Sequence, residues 1–369
     1  MAASPASADA TLPQLHGWGR TGLRGREHLG EDLVRLTRPD DVDGTPGAPI
    51  SRGLGRSYGD ASLPPADRPD AIGTRFADRI LGFDPATGRL HAEAGLSLLA
   101  INRLFLPRRF AAPVLPGTQY VTLGGMIAAD VHGKNHHVDG CFGQHVDALR
   151  LRLADGTIRW CQPDDDRDPD AAALFWATVG GMGLTGHILE AIVRLKPIPS
   201  PWIWSESARV PDLDAFLAGL RHAADDWPYT VGWIDLVRRG RGMGRGILIR
   251  GRWAEPHEAP AAPPRFGPAR LTVPLTAPSW VLNRLSVTLF NLAYFHKHPR
   301  RARRSIVHPQ SFFHPLDGVR HWNRLYGRAG FTQHQCVLPR AAGDDAVRAL
   351  LERVTDAGAA SFLSVIKDC

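Results

Sequence analysis

The sequence predicts an α+β protein of two domains, and three observations carry that prediction. The first half is punctuated throughout by glycine and proline and contains three glycine-rich stretches. Pro197, Pro199 and Pro201 mark a change of character. Beyond them, strand and helix patterns alternate as expected for an antiparallel sheet covered by helices. The chain has 369 residues, room for about two domains of roughly 150 residues each. A core of that size needs no disulfide or metal to hold it. The expected division is a flexible tail over 1–15, a first domain over 16–197 and a second over 198–369.

The elements follow in order. "RLHAEAGL" reads as a strand. "SLLAINRLFL" places Leu98, Leu99, Ile101, Leu104 and Phe105 on one helical face. "DALRLRLADGTIRW" alternates at Leu149, Leu151 and Leu153, and its Asp155-Gly156 pair predicts a hairpin. "DPDAAALFWATV" reads as a helix opening near Asp168 or Asp170. It runs through "GGMGLTG" into an apolar strand, "HILEAIVRLKPI". In the second half a helix is expected over "DLDAFLAGLRHAADD" and a strand over "YTVGWIDLV". After an irregular Pro-rich region come a strand around "GFTQHQCVLP", a helix over "DDAVRALLERVTDAG" and a final strand, "SFLSVIK". No internal repeat is visible.

Composition excludes several classes. Cys141, Cys161, Cys336 and Cys369 are scattered, with no CxxC, which argues against a disulfide scaffold or a zinc cluster. The opening "MAASPASADATLPQ" has neither the charged start nor the apolar core of a signal peptide. No apolar run approaches the ~20 residues of a spanning helix. A cytoplasmic chain, or one peripheral to the inner membrane, is expected. Net charge is +7, and "HKHPRRARR" carries five Lys or Arg directly after the amphipathic "SWVLNRLSVTLFNLAYF". Residues 280–304 therefore suit an anionic membrane surface or a lipid phosphate, or else a solvated basic face beside a core helix. No helix-turn-helix or zinc-finger pattern is present, so nucleic acid is not expected as a partner.

The glycine stretches are "SRGLGRSYGD" (from Ser51), "LPGTQYVTLGGMIAADVHGKN" and "VGGMGLTG". Glycine lets a ligand approach the backbone, and successive N–H groups make a concavity suited to phosphate oxygens. "GLGRSYG" matches a dinucleotide fingerprint only superficially, because a loop, "DASLPPADRPD", follows it where a helix should begin. Three such loops in one half suit a large diphosphate cofactor threaded between two small subdomains. His132, His136 and His137 are interrupted by Gly133 to Asn135 and lack a carboxylate pair, so no metal is expected. His145 and His187 read as structural.

Taken in order, "SRGLGRSYGD", "PVLPGTQYVTLGGMIAADVHGKNHH" and "FWATVGGMGLTG" resemble the vanillyl-alcohol-oxidase-type, or PCMH-type, FAD-binding domain. With "GWGR", "FFHPLD", "WNRLYGRAGFTQHQ" and "SFLSVIK" the chain more narrowly resembles the decaprenylphosphoryl-β-D-ribose 2-oxidase family. The resemblance implies a two-subdomain FAD-binding domain followed by a substrate domain. It assigns Arg52, Gly53, Leu54, Gly55, Arg56, Ser57 and Tyr58 to the pyrophosphate loop. Pro116, Gly117 and Thr118 would pass the flavin, and Thr122, Gly124 and Gly125 would continue the cradle. Ala129, His132, Gly133 and Asn135 would lie on the flavin side, with Gly183, Gly186 and Ile188 at the adenine end. Tyr58 stands where some members tether FAD through histidine, which implies dissociable FAD.

A flavin oxidase must bring a substrate C–H to the flavin and remove the hydroxyl proton with a base of suitable pKa. His132, Lys134 and Lys367 are candidates, and Gln335 matches a substrate-facing glutamine of the family. The resemblance implies oxidation of the 2-hydroxyl of a lipid-linked sugar phosphate, followed by a short-chain dehydrogenase/reductase partner that completes epimerisation to arabinose. An aldonolactone or alditol oxidase, or a non-catalytic FAD-binding chain, are the alternatives. Two departures stand out. "TRPDDVDGTPGAP" is too short and too rich in Pro and Gly for the family's additional helix. Family members also continue beyond "SFLSVIKDC", with a second active-site lysine, so a truncated substrate domain is expected.

Overall fold

The structure, a computed structural model, describes residues 14–20, 22–37, 49–267, 269 and 271–367. Most of the expected tail, the segment expected to lack a helix and the final two residues lie outside the described residues.

Two larger sheets, with two small two-stranded pairs, build the first half. Strands Arg26–Leu29, Asp70–Gly73 and Ile50–Arg52 form a small parallel sheet with Asp70–Gly73 in the middle. A five-stranded antiparallel sheet runs in the order Ile158–Cys161, Val146–Arg152, His187–Arg194, Arg89–Glu93, Ile80–Asp84. The Asp155-Gly156 hairpin joins the first two of these strands, with Gly156 at φ 85°. Between the two sheets lies a core of Ile72, Leu90, Leu98, Leu123, Met126 and Ile127, each under 2% exposed. Helix Pro169–Thr178 begins where Asp168 accepts a hydrogen bond from the Ala171 amide and Pro169 fixes the first turn. Helix Leu98–Phe105 starts on the Ser97 cap, but its buried face differs from the sequence reading. Leu104 is exposed and Asn102 is buried, because the helix lies on the sheet along Leu98, Ile101 and Phe105.

Strand Lys196–Pro197 still pairs with Phe110–Ala111 of the first half, whereas Ile203–Val210 belongs to the next sheet. That sheet is antiparallel throughout, in the order Arg303–Val307, Ile203–Val210, Gly246–Trp253, Tyr229–Ile234, Val365–Ile366. Helix Leu213–Asp226, capped by Asp212, lies across it and inserts the Phe216 ring where side chains at Gly232 and Gly246 would stand. Gly232 is therefore a packing requirement of one buried phenylalanine, while Gly246 must clear both that ring and the Trp233 carbonyl.

The structure corrects several expectations. "GFTQHQCVLP" forms no strand: Thr332–Pro339 is exposed and without regular structure, and a 3-10 turn begins at Arg340. The free side of Tyr229–Ile234 is instead paired by Val365–Ile366, so "SFLSVIK" contributes only two ladder residues. The region read as irregular supplies the central strand Gly246–Trp253. Arg303 and Arg304 lie in an edge strand, where Arg304 donates from Nε to buried Glu206 at 2.8 Å, beside Arg250. No helix among the described residues is long and apolar enough to cross a membrane.

Candidate active site

The parallel sheet delivers the first glycine loop. Strand Ile50–Arg52 ends and Gly53–Tyr58 turns without regular structure, with Gly55 at φ 62°, a conformation that favours glycine. The Arg52 guanidinium faces inward: it donates to the His16 carbonyl at 2.7 Å and to Ser62, and lies 3.7 Å from Glu27. It stiffens the loop and is not offered to a ligand. Arg56 is placed differently. Its guanidinium lies 3.8 Å from the centroid of the Trp18 ring and 4.8 Å from that of Tyr120, and its buried Nε has no hydrogen-bond partner. Burial lowers its pKa, and Asp317 opposes that shift. Tyr58 packs edge-on against Phe331 and Trp322.

Helix Leu123–Ala128 opens on the second glycine stretch. Thr122 caps it by accepting from the Gly125 amide at 3.2 Å, and a Cβ on Gly53 would collide with the Thr122 hydroxyl. Here the first two loops touch. Gly124 faces the other way, where a Cβ would press on Ala94. Gly125 and Ala129 are one helical step of four apart, and both are exposed. Gly117 is also exposed, and a Cβ there would meet nothing within 4 Å. Gly117 and Thr118 line a cleft with Trp18, Arg56, Tyr58, Leu316, Asp317 and Trp322.

The remaining assigned residues divide between this face and the interior. Pro116 and Ser57 contribute main-chain carbonyls, to His314 Nδ1 and to the Trp18 amide respectively. Leu54 is partly exposed. Asn135 is fully buried and holds the Pro113 carbonyl and Asp139, and Gly133 lies against Leu115. Gly186 allows close approach to the Arg152 carbonyl, and the Ile188 side chain lies in the core. Gly183 has φ 83° and open space around it.

Three of the four catalytic candidates are electrostatically linked, the charge of Lys367 acting on both His132 and Lys134. Lys134 is half-buried along its length, and its ammonium sits deep among protein atoms, 3.4 Å from the Phe313 carbonyl. Burial first, and the charge of Lys367 second, push its pKa down to about 7. Burial, Lys367 and His136 push His132 down to about 4, so its ring is neutral at pH 7. Lys367 directly follows strand Val365–Ile366. Gln335 does not join them: it lies in the exposed segment, 3.5 Å from Gln333. No group of three His, Cys, Asp or Glu residues suited to a metal ion occurs among the described residues.

"FFHPLD" has a role the sequence reading did not assign. Asp317 accepts from the Thr118 hydroxyl at 2.7 Å and from the Gln119 amide at 2.8 Å. His314 Nδ1 lies 2.8 Å from the Pro116 carbonyl, which fixes the proton on Nδ1 and leaves buried Nε2 a lone pair without a protein partner. Burial and Lys134 push the His314 pKa down to about 3. One turn of the second sheet domain thus holds residues 116–119 and Lys134 together. Its signal was a histidine and an aspartate around proline in a segment already singled out.

FAD fits these residues. Gly117 and Gly125 are exposed and leave space that Cβ atoms would fill, and the unpartnered Nε of Arg56 supplies a buried cation edge in the cleft that Gly117 lines. Comparison agrees. Residues 43–162 match the family model described as an FAD binding domain. The chain is 34% identical over 367 residues to decaprenylphosphoryl-beta-D-ribose oxidase of Mycolicibacterium smegmatis, covering 97% of this chain and 78% of that one. It is 33% identical over 287 residues to an uncharacterized Streptomyces coelicolor protein, covering 74% of each chain. Fold and cleft define an FAD-dependent oxidoreductase of the PCMH-type FAD-binding superfamily. Within it, the chain belongs to the decaprenylphosphoryl-β-D-ribose oxidase family.

Proposed function

We propose that this enzyme oxidises the 2-hydroxyl of a polyprenylphosphoryl ribose to a ketone. The observation that carries the reading is the turn 313–317, which holds the Lys134 ammonium at the Phe313 carbonyl and the cleft-lining Thr118 at Asp317, with the charge of Lys367 acting on both Lys134 and His132. The relative aligned over 97% of the chain is an oxidase named for decaprenylphosphoryl-beta-D-ribose, which supports the sugar lipid as substrate. Bound FAD, held by the loops around Gly53, Gly117 and Gly125, supplies the two-electron acceptor for the carbinol hydride. The chain must supply the base. With a pKa near 7, Lys134 is substantially neutral at working pH, so its Nζ can take the hydroxyl proton. Lys367 adds positive potential for the substrate phosphate, and the neutral His132 ring adds polarity without another charge. The product ketone is passed to a reductase of the short-chain type that completes epimerisation.

The test is anaerobic reduction of the enzyme's visible flavin band. Polyprenylphosphoryl ribose should bleach it, and an aldonolactone should not. Bleaching by the lactone alone would overturn the reading. In the same preparation acid should release FAD into the supernatant, because Tyr58 occupies the loop position of a tethering histidine. Yellow colour retained in the precipitate would contradict dissociable binding.

A further inference from the structure

The helix Arg284–Lys297 packs one face on the protein and, among the described residues, leaves an apolar opposite face largely exposed. It opens with a capping box between Asn283 and Ser286. Its inner face is fixed by Val287, 4% exposed, and Asn291, 0% exposed. The Asn291 amide donates to Asp235 at 2.8 Å, and Asp235 is gripped in turn by Arg245 at 2.8 Å. The helix is therefore clamped to the second sheet in one orientation. On the opposite face Leu285, Leu289 and Leu292 recur at helical spacing and are 69%, 58% and 43% exposed. Trp280, just before the helix, is 73% exposed.

Charge identifies what covers this face. Between Glu258 and Asp317 there is no acidic residue, while Lys and Arg number eight. Lys297, Arg300 and Arg301 follow the leucine stripe and are exposed, whereas Arg304 is turned back onto Glu206. An apolar stripe ending in cations, on a helix of 14 residues, matches a segment that lies in a bilayer interface. A bare polyanion would use the cations but not the leucines. We propose that this helix seats the protein on an anionic lipid surface, with Leu285, Leu289 and Leu292 entering the acyl boundary and Lys297, Arg300 and Arg301 facing the headgroups.

The test uses the full FAD-loaded chain and co-sedimentation with phosphatidylcholine vesicles, with or without a quarter of phosphatidylglycerol. Binding is expected only with the anionic lipid and should weaken as salt rises. L285S/L289S/L292S should lower partition at least roughly tenfold through lost apolar burial. R300Q/R301Q should lower it roughly 25-fold, about fivefold for each cation near the surface. Both sets alter exposed positions, so an unchanged flavin band and melting temperature identify folded variants. Three results would overturn the proposal. Wild-type protein could ignore anionic vesicles. The serine variant could bind as well as wild type while the arginine variant fails, leaving a polyanion face. Light scattering could reveal a dimer that the serine variant splits, which would make a second copy the occupant. The vesicles contain no sugar lipid, so any of these outcomes leaves the substrate reading intact.

Discussion

Replacing Gly125 with valine is expected to leave the protein folded and to empty it of FAD. The structure makes this a clean experiment. A Cβ at Gly125 would have one protein neighbour, the Thr122 hydroxyl at 3.1 Å, and would otherwise project from the exposed face of helix Leu123–Ala128. Valine costs a helix less than glycine, so the apo protein should lose no stability. G117V should behave alike, since nothing lies within 4 Å of that position. G53V is the contrast: its side chain would strike Thr122, so the loop itself should be disrupted. FAD content after gel filtration should fall below about a tenth of wild type in G125V and G117V. Added FAD should raise the melting temperature of apo wild type, by about 2.7 kcal/mol of stabilisation at a hundredfold excess over Kd, and should not raise that of the variants. Full FAD occupancy in G125V would remove this helix face from the cofactor site.

The sequence exposed the cofactor half more clearly than the substrate half, and the reason is local. Loops such as "GLGRSYG" are specified by glycines whose spacing is visible without knowing the fold. Caps such as Asp168 and the Asp155-Gly156 hairpin are equally local, and both elements formed where expected. What sequence pattern could not show was which side of a glycine faces ligand. Gly124 and Gly125 are neighbours, yet one packs on Ala94 and the other is open. Arg52 and Arg56 flank one loop, yet Arg52 serves Glu27 and the His16 carbonyl while Arg56 keeps an unpartnered Nε. In the second half, strands Ile203–Val210 and Gly246–Trp253 were missed because charged residues interrupt the apolar alternation. Glu206 and Arg250 are two of those interruptions, and they cancel by pairing across the sheet. The reverse error occurred at "GFTQHQCVLP", whose alternation promised a ladder that no neighbouring strand provides among the described residues.

Lys134 should control the pH dependence of turnover. Its pKa is pushed down to about 7, chiefly by burial, so the neutral amine needed to accept a proton accumulates as pH rises through that value. The wild-type kcat should therefore fall about tenfold per pH unit below about 7 and level off above it. K134M should lose roughly 10²–10⁴ of kcat while keeping its FAD, the range for removing a positioned base. Lys367 sharpens the test, because its like charge also lowers the Lys134 pKa. K367M removes that repulsion, so the Lys134 pKa should rise and the rate profile should move to higher pH. A misfolded K134M is distinguishable by the sign of its stability change. A lysine whose folded pKa is depressed destabilises the native state when charged. That cost is fully present below about pH 7 and fades as pH rises toward the unfolded value of about 10.4. K134M should therefore melt above wild type at pH 6, with the gap closing toward pH 10. A slow variant that also melts below wild type at pH 6 would mean that Lys134 supports the fold. A wild-type profile unchanged in K367M, with its midpoint far from pH 7, would move the base elsewhere in the site.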